Sequence, residues 1–425
     1  MVKNRTLEEI NQKLTKGTAI VMTAEELCNL IRENQKISID DIDVVTTATK
    51  GLMSGTIAIL SFRVSEAAVF KKAKELYLND VPCYVGPCPN EFLGVIDSIV
   101  YGVAHSISRP EKYGGGHLFR DLIENKEINV KVKTVEGDII ETTTKLNDIP
   151  FAKMVGIRNA FKNYLAFVNP HSEDLNTIFS AVPFKGNLAE ATVCGCGELN
   201  PIQKDPDLDI IGVGTPILMN GAIGYIIGEG TRSSKEKPNL MAIAEMHGMD
   251  PEYSGGFITS SGPEVINSWA LAIPILNEKI FQNVIKTDED IKLVITDVKG
   301  RKPLEKTTYA AIWQNVDLQI SYDKEKCIEC TDCVIEKKCP MSSFSQKEGI
   351  NRSLCFNCGT CINLCSGKAF KGNLGTITIS ARDIPIITRQ SDRFGALKLA
   401  NELKEKILSG EFKLSLPVSK FDSVQ

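Results

Sequence analysis

The chain has 425 residues, of which 43% are hydrophobic and 24% charged, and a formal net charge of −4. That length allows two or three domains, or one large domain with an insert, and the balance is that of a globular protein. The charge gives no reason to invoke nucleic acid. The start, Met1-Val2-Lys3-Asn4-Arg5, is not read as a signal or transit peptide.

In chain order, Thr6 to Lys16 reads as a helix with Ile10 and Leu14 on one face, and Thr18 to Met22 as a strand. Thr23 and Glu26 form a capping box for a helix running to about Glu33. Asp43 to Thr47 is apolar and β-branched and predicts a buried strand, and Ser65 is expected to cap a helix through about Leu78. Ile128 to Thr134, a Glu136-Gly137 turn and Ile139 to Thr143 predict a hairpin. Gly195 to Gly262 is glycine-rich and suits tight strand packing or a small-molecule site. Ile210 to Gly228 is uncharged but holds five glycines, Pro216 and Asn220, so it reads as buried strand and turn and not as a membrane span. Val316 to Tyr322 and Thr376 to Ser380 read as strands entering and leaving a cysteine-rich segment. Ser391 is expected to cap a helix with Phe394, Leu397, Ala400, Leu403 and Ile407 on one face, stopped near Gly410. The fold class is therefore α/β, a main domain with mixed sheet and Gly-rich turns (1–320), an insert in a hairpin (321–371) and a returning strand and helix (372–425).

The insert carries eight of the 13 cysteines. They form two runs, Cys327-x2-Cys330-x2-Cys333-x5-Cys339-Pro340 and Cys355-x2-Cys358-x2-Cys361-x3-Cys365. Three evenly spaced cysteines followed by a fourth suit a cubane, which needs four thiolates, better than they suit zinc, whose sites use two separated pairs. The insert (321–371) is therefore expected to be a ferredoxin-like α+β module, and in two-cluster ferredoxins the fourth cysteine of each run serves the other cluster. The expected sites are one [4Fe-4S] on Cys327, Cys330, Cys333 and Cys365, and another on Cys355, Cys358, Cys361 and Cys339. Two departures bear on loop geometry: five residues, not three, precede Cys339, and Ser366 rather than proline follows Cys365. Six acidic residues against eight basic ones between Ser321 and Lys371 favour an internal electron donor over a strongly acidic shuttle. Free thiols with clusters point to a reducing cytoplasm.

Outside the insert, Cys28 reads as core. Cys83 and Cys88 flank a turn and face one cavity in the functional reading. Cys194-Gly195-Cys196-Gly197-Glu198 is the sharpest thiol site, where backbone N–H donors would lower a thiol pKa; a space-filling turn is the alternative. His117 follows Gly114-Gly115-Gly116 and suits proton transfer near a ligand, or is a surface histidine. Gly228 to Ser234 offers Arg232 and backbone amides to an anion but matches no nucleotide fingerprint.

Several motifs carry a resemblance: Val44-Val45-Thr46-Thr47, Asn79-Asp80-Val81-Pro82, Val85-Gly86-Pro87-Cys88-Pro89-Asn90-Glu91 and Tyr113 to His117. Lys162 to Asn169, Cys194 with Gly197, Gly221 to Tyr225, and Arg389-Gln390-Ser391-Asp392-Arg393 through Phe412 add to it. With them the chain resembles the homocysteine-biosynthesis (HcyBio) family, and within it the branch termed methanogenesis marker 16 metalloprotein. The resemblance implies reductive sulfur insertion into aspartate semialdehyde to give homocysteine. It also implies a carbonyl substrate, a sulfur donor and a low-potential electron donor as partners, with no nucleic acid and no membrane; a homo-oligomer is compatible. In the sulfur-transferring branch the persulfide cysteine aligns near Gly137 to Thr143, where this chain has none. Cys194, Cys196, Cys83 or Cys88 would have to substitute, or the reaction differs. An electron-transfer protein, or a maturation factor for a cofactor or metal, is the other class of function.

Overall fold

The computed structural model describes residues 4–86 and 91–421. Its larger sheet is organised around one long strand, Gly262–Pro274, buried along nearly its whole length. A strand covered on both faces reads as a continuous apolar run and not as an alternation. It pairs antiparallel with Val44–Leu52, from Ile266 opposite Leu52 to Pro274 opposite Val44, and also with Pro216–Met219 and Gly255–Thr259. From Pro216–Met219 the order continues through Ala222–Glu229, Leu240–Glu245, Phe151–Asn159, Thr56–Arg63, Val95–Tyr101, Val81–Val85, Ala73–Leu78, Ile128–Thr134 and Ile139–Thr144. Val44–Leu52 and Thr56–Arg63 are joined by a short turn, yet five strands separate them in this order, so the sheet curls back on itself. Thr56 Oγ1 accepts from Asn267 Nδ2 at 3.1 Å across that seam. Trp269 fills the interior beside Gly156, where any Cβ would lie 2.5 Å from the indole.

The smaller sheet is mixed. Its order is Pro303–Thr308, Lys292–Asp297, Leu165–Val168, Ala191–Val193, Arg382–Arg389 and Thr376–Ile379. Residues 321–371 leave it after the helix Ala310–Trp313 and return at Thr376–Ile379. This segment is closed at its neck by Ser321–Tyr322 pairing with Phe370–Lys371, and holds a second ladder, Phe344–Ser345 with Gly349–Ile350. The expected entering strand over Val316 to Tyr322 is thus only two residues long, and it pairs within the segment rather than with the sheet outside it.

The expected capping box forms at Thr23 with Glu26, and Thr6 makes a second one with Glu9. The Ile128–Thr134 and Ile139–Thr144 hairpin forms as the sequence indicates, with Gly137 at φ 101°. Two expectations are corrected. Ser65 caps no helix: residues 73–78 are a strand whose buried positions Ala73, Leu76 and Leu78 face the core. Asn79 and Asp80, at φ 47° and 63°, make a two-residue turn into Val81–Val85, and a turn with two left-handed residues matches strand twist. The last helix, Arg393–Ser409, is capped by Asp392, which accepts from Gly395 N, and not by Ser391. Gly410 stops it in the left-handed region. Among the described residues no helix is long and apolar enough to cross a membrane.

Glu264 lies in the central strand, 5% exposed, and Oε2 has no partner among the described residues. Burial raises its pKa from 4.5 to about 7, against smaller lowering by Ser54 and the Val265 amide. A raised folded pKa costs stability once the unfolded chain ionises, so the penalty grows from the ordinary glutamate range up to about pH 7 and is complete above it. Glu264→Gln is expected to stabilise by roughly 3 kcal/mol at pH 8 and by little below pH 5, read from denaturant midpoints at the two pH values.

Candidate functional site

The smaller sheet delivers Cys194 and Cys196 to the edge of the larger one. Ala191–Val193 ends in a turn in which Gly195 has φ 100° and Gly197 φ 59°. A Cβ at Gly195 would lie 2.3 Å from Tyr309 Oη, and one at Gly197 would lie 2.0 Å from Asp288 Oδ1, so both glycines are required for close approach as well as for conformation. The turn is held from below: Tyr309 Oη donates to Cys194 O at 3.1 Å and Trp313 Nε1 to Gly195 O at 3.1 Å.

Both thiols are buried. Cys194 Sγ lies 3.8 Å from Ser391 Oγ, and Cys196 Sγ lies 3.8 Å from both Thr49 Oγ1 and Lys50 O. The Gly195 amide donates to Ser391 Oγ at 2.8 Å. The expected lowering of the thiol pKa does not result. Burial dominates and pushes Cys194 up to about 12, against lowering by Ser391 and the Gly195 amide, and pushes Cys196 to about 11. The resting sulfurs are therefore thiols at neutral pH, and a proton acceptor must accompany any attack by them.

The cysteine-rich segment places seven of its eight thiols in two groups. Cys339, Cys355, Cys358 and Cys361 line one cavity with apolar walls that include Ile335, Phe356 and Leu364. Around Tyr322 lie Cys327, Cys333 and Cys365; the hydrogen bond to Cys327 first, then burial and the charges of the three cysteines, raise its hydroxyl pKa to about 12. Cys330 belongs to the same loop, where its carbonyl accepts from Gln346 Nε2. Cys339, the last of the first run, thus lies with Cys355, Cys358 and Cys361, and Cys365, the last of the second run, lies with Cys327 and Cys333. Four thiolates in a shared apolar pocket suit a cluster's donor set. Among the described residues no three His, Cys, Asp or Glu side chains are arranged to hold a single metal ion.

One stretch, Thr388 to Asp392, joins that cavity to the Cys194 turn. Thr388 Oγ1 lies 3.3 Å from Thr360 Oγ1. The Arg389 amide donates to Cys358 O at 2.8 Å, and the Gln390 amide to Val193 O at 2.8 Å. Ser391 then meets Cys194, and Asp392 Oδ1 accepts from Asn357 Nδ2 at 3.3 Å. The segment also seats on the larger sheet, where the Ile258 amide donates to Pro340 O and Phe257 packs edge-on against Phe356 at 5.4 Å. Beneath the turn Arg393 pairs with Asp288 at 2.5 Å and Glu198 at 3.0 Å, and Arg32 reaches the same Glu198. The sequence reading missed Ser391 as a site residue and took it only as a helix cap.

The other candidates lie elsewhere. His117 is enclosed, stacked on Tyr113 at 5.4 Å, and a Cβ at Gly256 would overlap its ring. Burial lowers its pKa to about 4. Its glycines are packed and not a flexible loop: a Cβ at Gly115 would lie 2.0 Å from Tyr101 O. Cys83 sits in Val81–Val85 with its thiol directed to Val81 O, and burial raises its pKa. Cys88 lies outside the described residues. Cys28 is core, with Lys204 Nζ at 3.2 Å. The turn containing Arg232 hydrogen-bonds largely within itself. Ile139–Thr144, where the resemblance places a sulfur-carrying cysteine, is the outermost strand of the large sheet.

Fold and site together define an α/β protein with a buried thiol pair set against a cysteine-rich segment. A family model described as homocysteine biosynthesis enzyme, sulfur-incorporation, matches residues 19–414. The chain belongs to this family. It is 42% identical over 410 residues to an uncharacterized protein of Methanothermobacter thermautotrophicus, covering 96% of this chain and 94% of the relative. To an uncharacterized protein of Methanocaldococcus jannaschii it is 44% identical over 400 residues, covering 93% and 98%. To the L-aspartate semialdehyde sulfurtransferase of the same organism it is 32% identical over 327 residues, covering 72% of this chain and 62% of the relative. No solved structure matches the chain.

Proposed function

We propose that this protein transfers sulfur reductively to a small aldehyde, aspartate semialdehyde, giving homocysteine in a reducing cytoplasm. The reading is supported by one juxtaposition above all: Ser391, beside the Cys194 thiol, is two residues from Arg389, whose amide holds the Cys358 carbonyl. A sulfur-carrying thiol and a source of electrons must meet in such a reaction. Cys327, Cys330, Cys333 and Cys365 would hold one [4Fe-4S] cluster, and Cys355, Cys358, Cys361 and Cys339 the other. When bound, these supply low-potential electrons one at a time.

The balance is simple. Aldehyde and hydrogen sulfide lose water to give a thioaldehyde, and two electrons with two protons reduce it to the thiol. If the sulfur arrives as a persulfide on Cys194, two further electrons and two protons break the S–S bond and restore the Cys194 thiol. Ser391 Oγ, at 3.8 Å, is the hydroxyl placed to hydrogen-bond that sulfur. Burial of the turn keeps water from competing with the sulfur nucleophile.

The test is anaerobic incubation of iron-loaded protein with aspartate semialdehyde, sulfide and a low-potential reductant, followed by thiol analysis. Homocysteine above the iron-free control is expected. Its absence would remove aspartate semialdehyde as the substrate.

A further inference from the structure

A cavity of about 300 Å³ opens between the second cysteine run and the strand that backs the Cys194 turn. Its walls include Cys355 on one side and Lys50 with Asp392 on the other, and Glu252, Arg352 and Lys398 complete its charged lining. Three basic groups against two acidic ones leave it net positive, so it favours a small anion.

Lys50 is the unusual member. It sits on the buried strand Val44–Leu52, and its side chain is 6% exposed. Nζ contacts Asp392 Oδ2 at 2.9 Å and Glu252 O at 3.0 Å. An ammonium has three N–H donors. The described residues offer Nζ no third hydrogen-bond acceptor; the Tyr253 ring is 6.0 Å away. Gly395 makes room for the lysine, since a Cβ there would lie 2.6 Å from Cδ and 2.8 Å from Nζ. The lysine backbone belongs to the thiol site as well, because Cys196 Sγ lies 3.8 Å from Lys50 O.

We infer that this cavity binds a small carboxylate-bearing aldehyde, with the free N–H of the Lys50 ammonium donating to the carbonyl oxygen. Such a bond withdraws electrons from the carbonyl carbon and stabilises the oxyanion formed when sulfur adds. Asp392 and the Glu252 carbonyl fix the ammonium in place beforehand. Lys50 is thereby a further catalytic residue of the sulfur-transfer reading, on which this inference rests.

Calorimetric titration of anaerobic iron-loaded protein with succinate semialdehyde and with butanoate tests it, because the two probes differ in the carbonyl group. Wild type is expected to bind the aldehyde about tenfold or more tightly than butanoate, as for a hydrogen bond to a charged donor. In Lys50→Met the two affinities should converge. Equal affinities in wild type would overturn the inference without needing any variant. So would a persisting preference in folded Lys50→Met, or a borohydride-trapped adduct on Lys50, which would mean an imine in place of a hydrogen bond. Binding of succinate semialdehyde with no homocysteine formed from aspartate semialdehyde would support the carbonyl site while removing the substrate proposed above.

Discussion

Cys194→Ala is expected to retain roughly eight irons per chain while losing thiol formation, whereas Cys358→Ala should fall toward about four irons and lose it too. The difference follows from what each sulfur touches. Cys194 Sγ meets Ser391 Oγ and the Gly195 amide, and the turn around it is held by bonds to main-chain atoms that alanine preserves. Removing the sulfur therefore leaves the Tyr309 and Trp313 anchors intact and costs about 1–2 kcal/mol for the lost buried atom. Cys358 instead lines the four-cysteine cavity, while its carbonyl holds Arg389. Alanine there keeps the carbonyl bond and deletes one of four thiolates. Iron and acid-labile sulfide assays on anaerobic protein, beside the homocysteine assay, separate the two roles. Iron loss in Cys194→Ala would mean that this thiol binds metal rather than carrying sulfur. Full iron in Cys358→Ala would remove Cys358 from the ligand set.

Local chemistry made some of this architecture legible in advance. The Thr23 capping box, the Glu136-Gly137 turn and the Gly410 stop depend on residues within a few positions, and they formed where the residue types indicated. The grouping of Cys339 with the second run follows the expected exchange of fourth cysteines, which the spacing of the runs suggested. Residues 65–78 misled because Ser65 is a plausible cap, while the Asn79-Asp80 turn that fixes Ala73–Leu78 as a strand lies beyond it. The thiol pKa of Cys194 was unreadable for another reason. A glycine-flanked loop suggests exposed amides, but burial by Tyr164, Tyr309 and Ser391 comes from distant parts of the chain. Nothing in Thr388 to Asp392 announces that it will join Cys358 to Cys194. That junction depends on Ala191–Val193 pairing parallel with Arg382–Arg389, where Ala191 meets Ile386 and Val193 meets Arg389, residues 195 and 196 positions apart in sequence.

Arg393→Met is expected to destabilise the protein by about 3–5 kcal/mol, the usual cost of leaving a buried charge without its partner. Arg393 is 7% exposed and bonds two carboxylates, Asp288 and Glu198, which in turn accept from each other's amides at 2.8 Å. Its guanidinium also lies 5.5 Å from the Trp313 ring, the indole that holds Gly195 O. Methionine fills comparable volume but leaves both acids with Arg32 alone. Arg32→Met should cost less, because Arg32 is 28% exposed and Glu198 would keep Arg393. The sign of the pH dependence follows from Asp288, whose pKa is raised by burial first and held down mainly by Arg393. A carboxyl with a raised folded pKa loses stability as pH climbs above its unfolded value. Removing Arg393 raises that pKa further, so the variant's deficit should be largest at pH 8 and shrink toward acid, as protonation relieves the carboxylate that has lost its partner. Denaturant midpoints of anaerobic protein at pH 8 and pH 5 measure this. A deficit that widened at pH 5, or stayed under about 1 kcal/mol at pH 8, would mean that the ion cluster does not anchor the Cys194 turn.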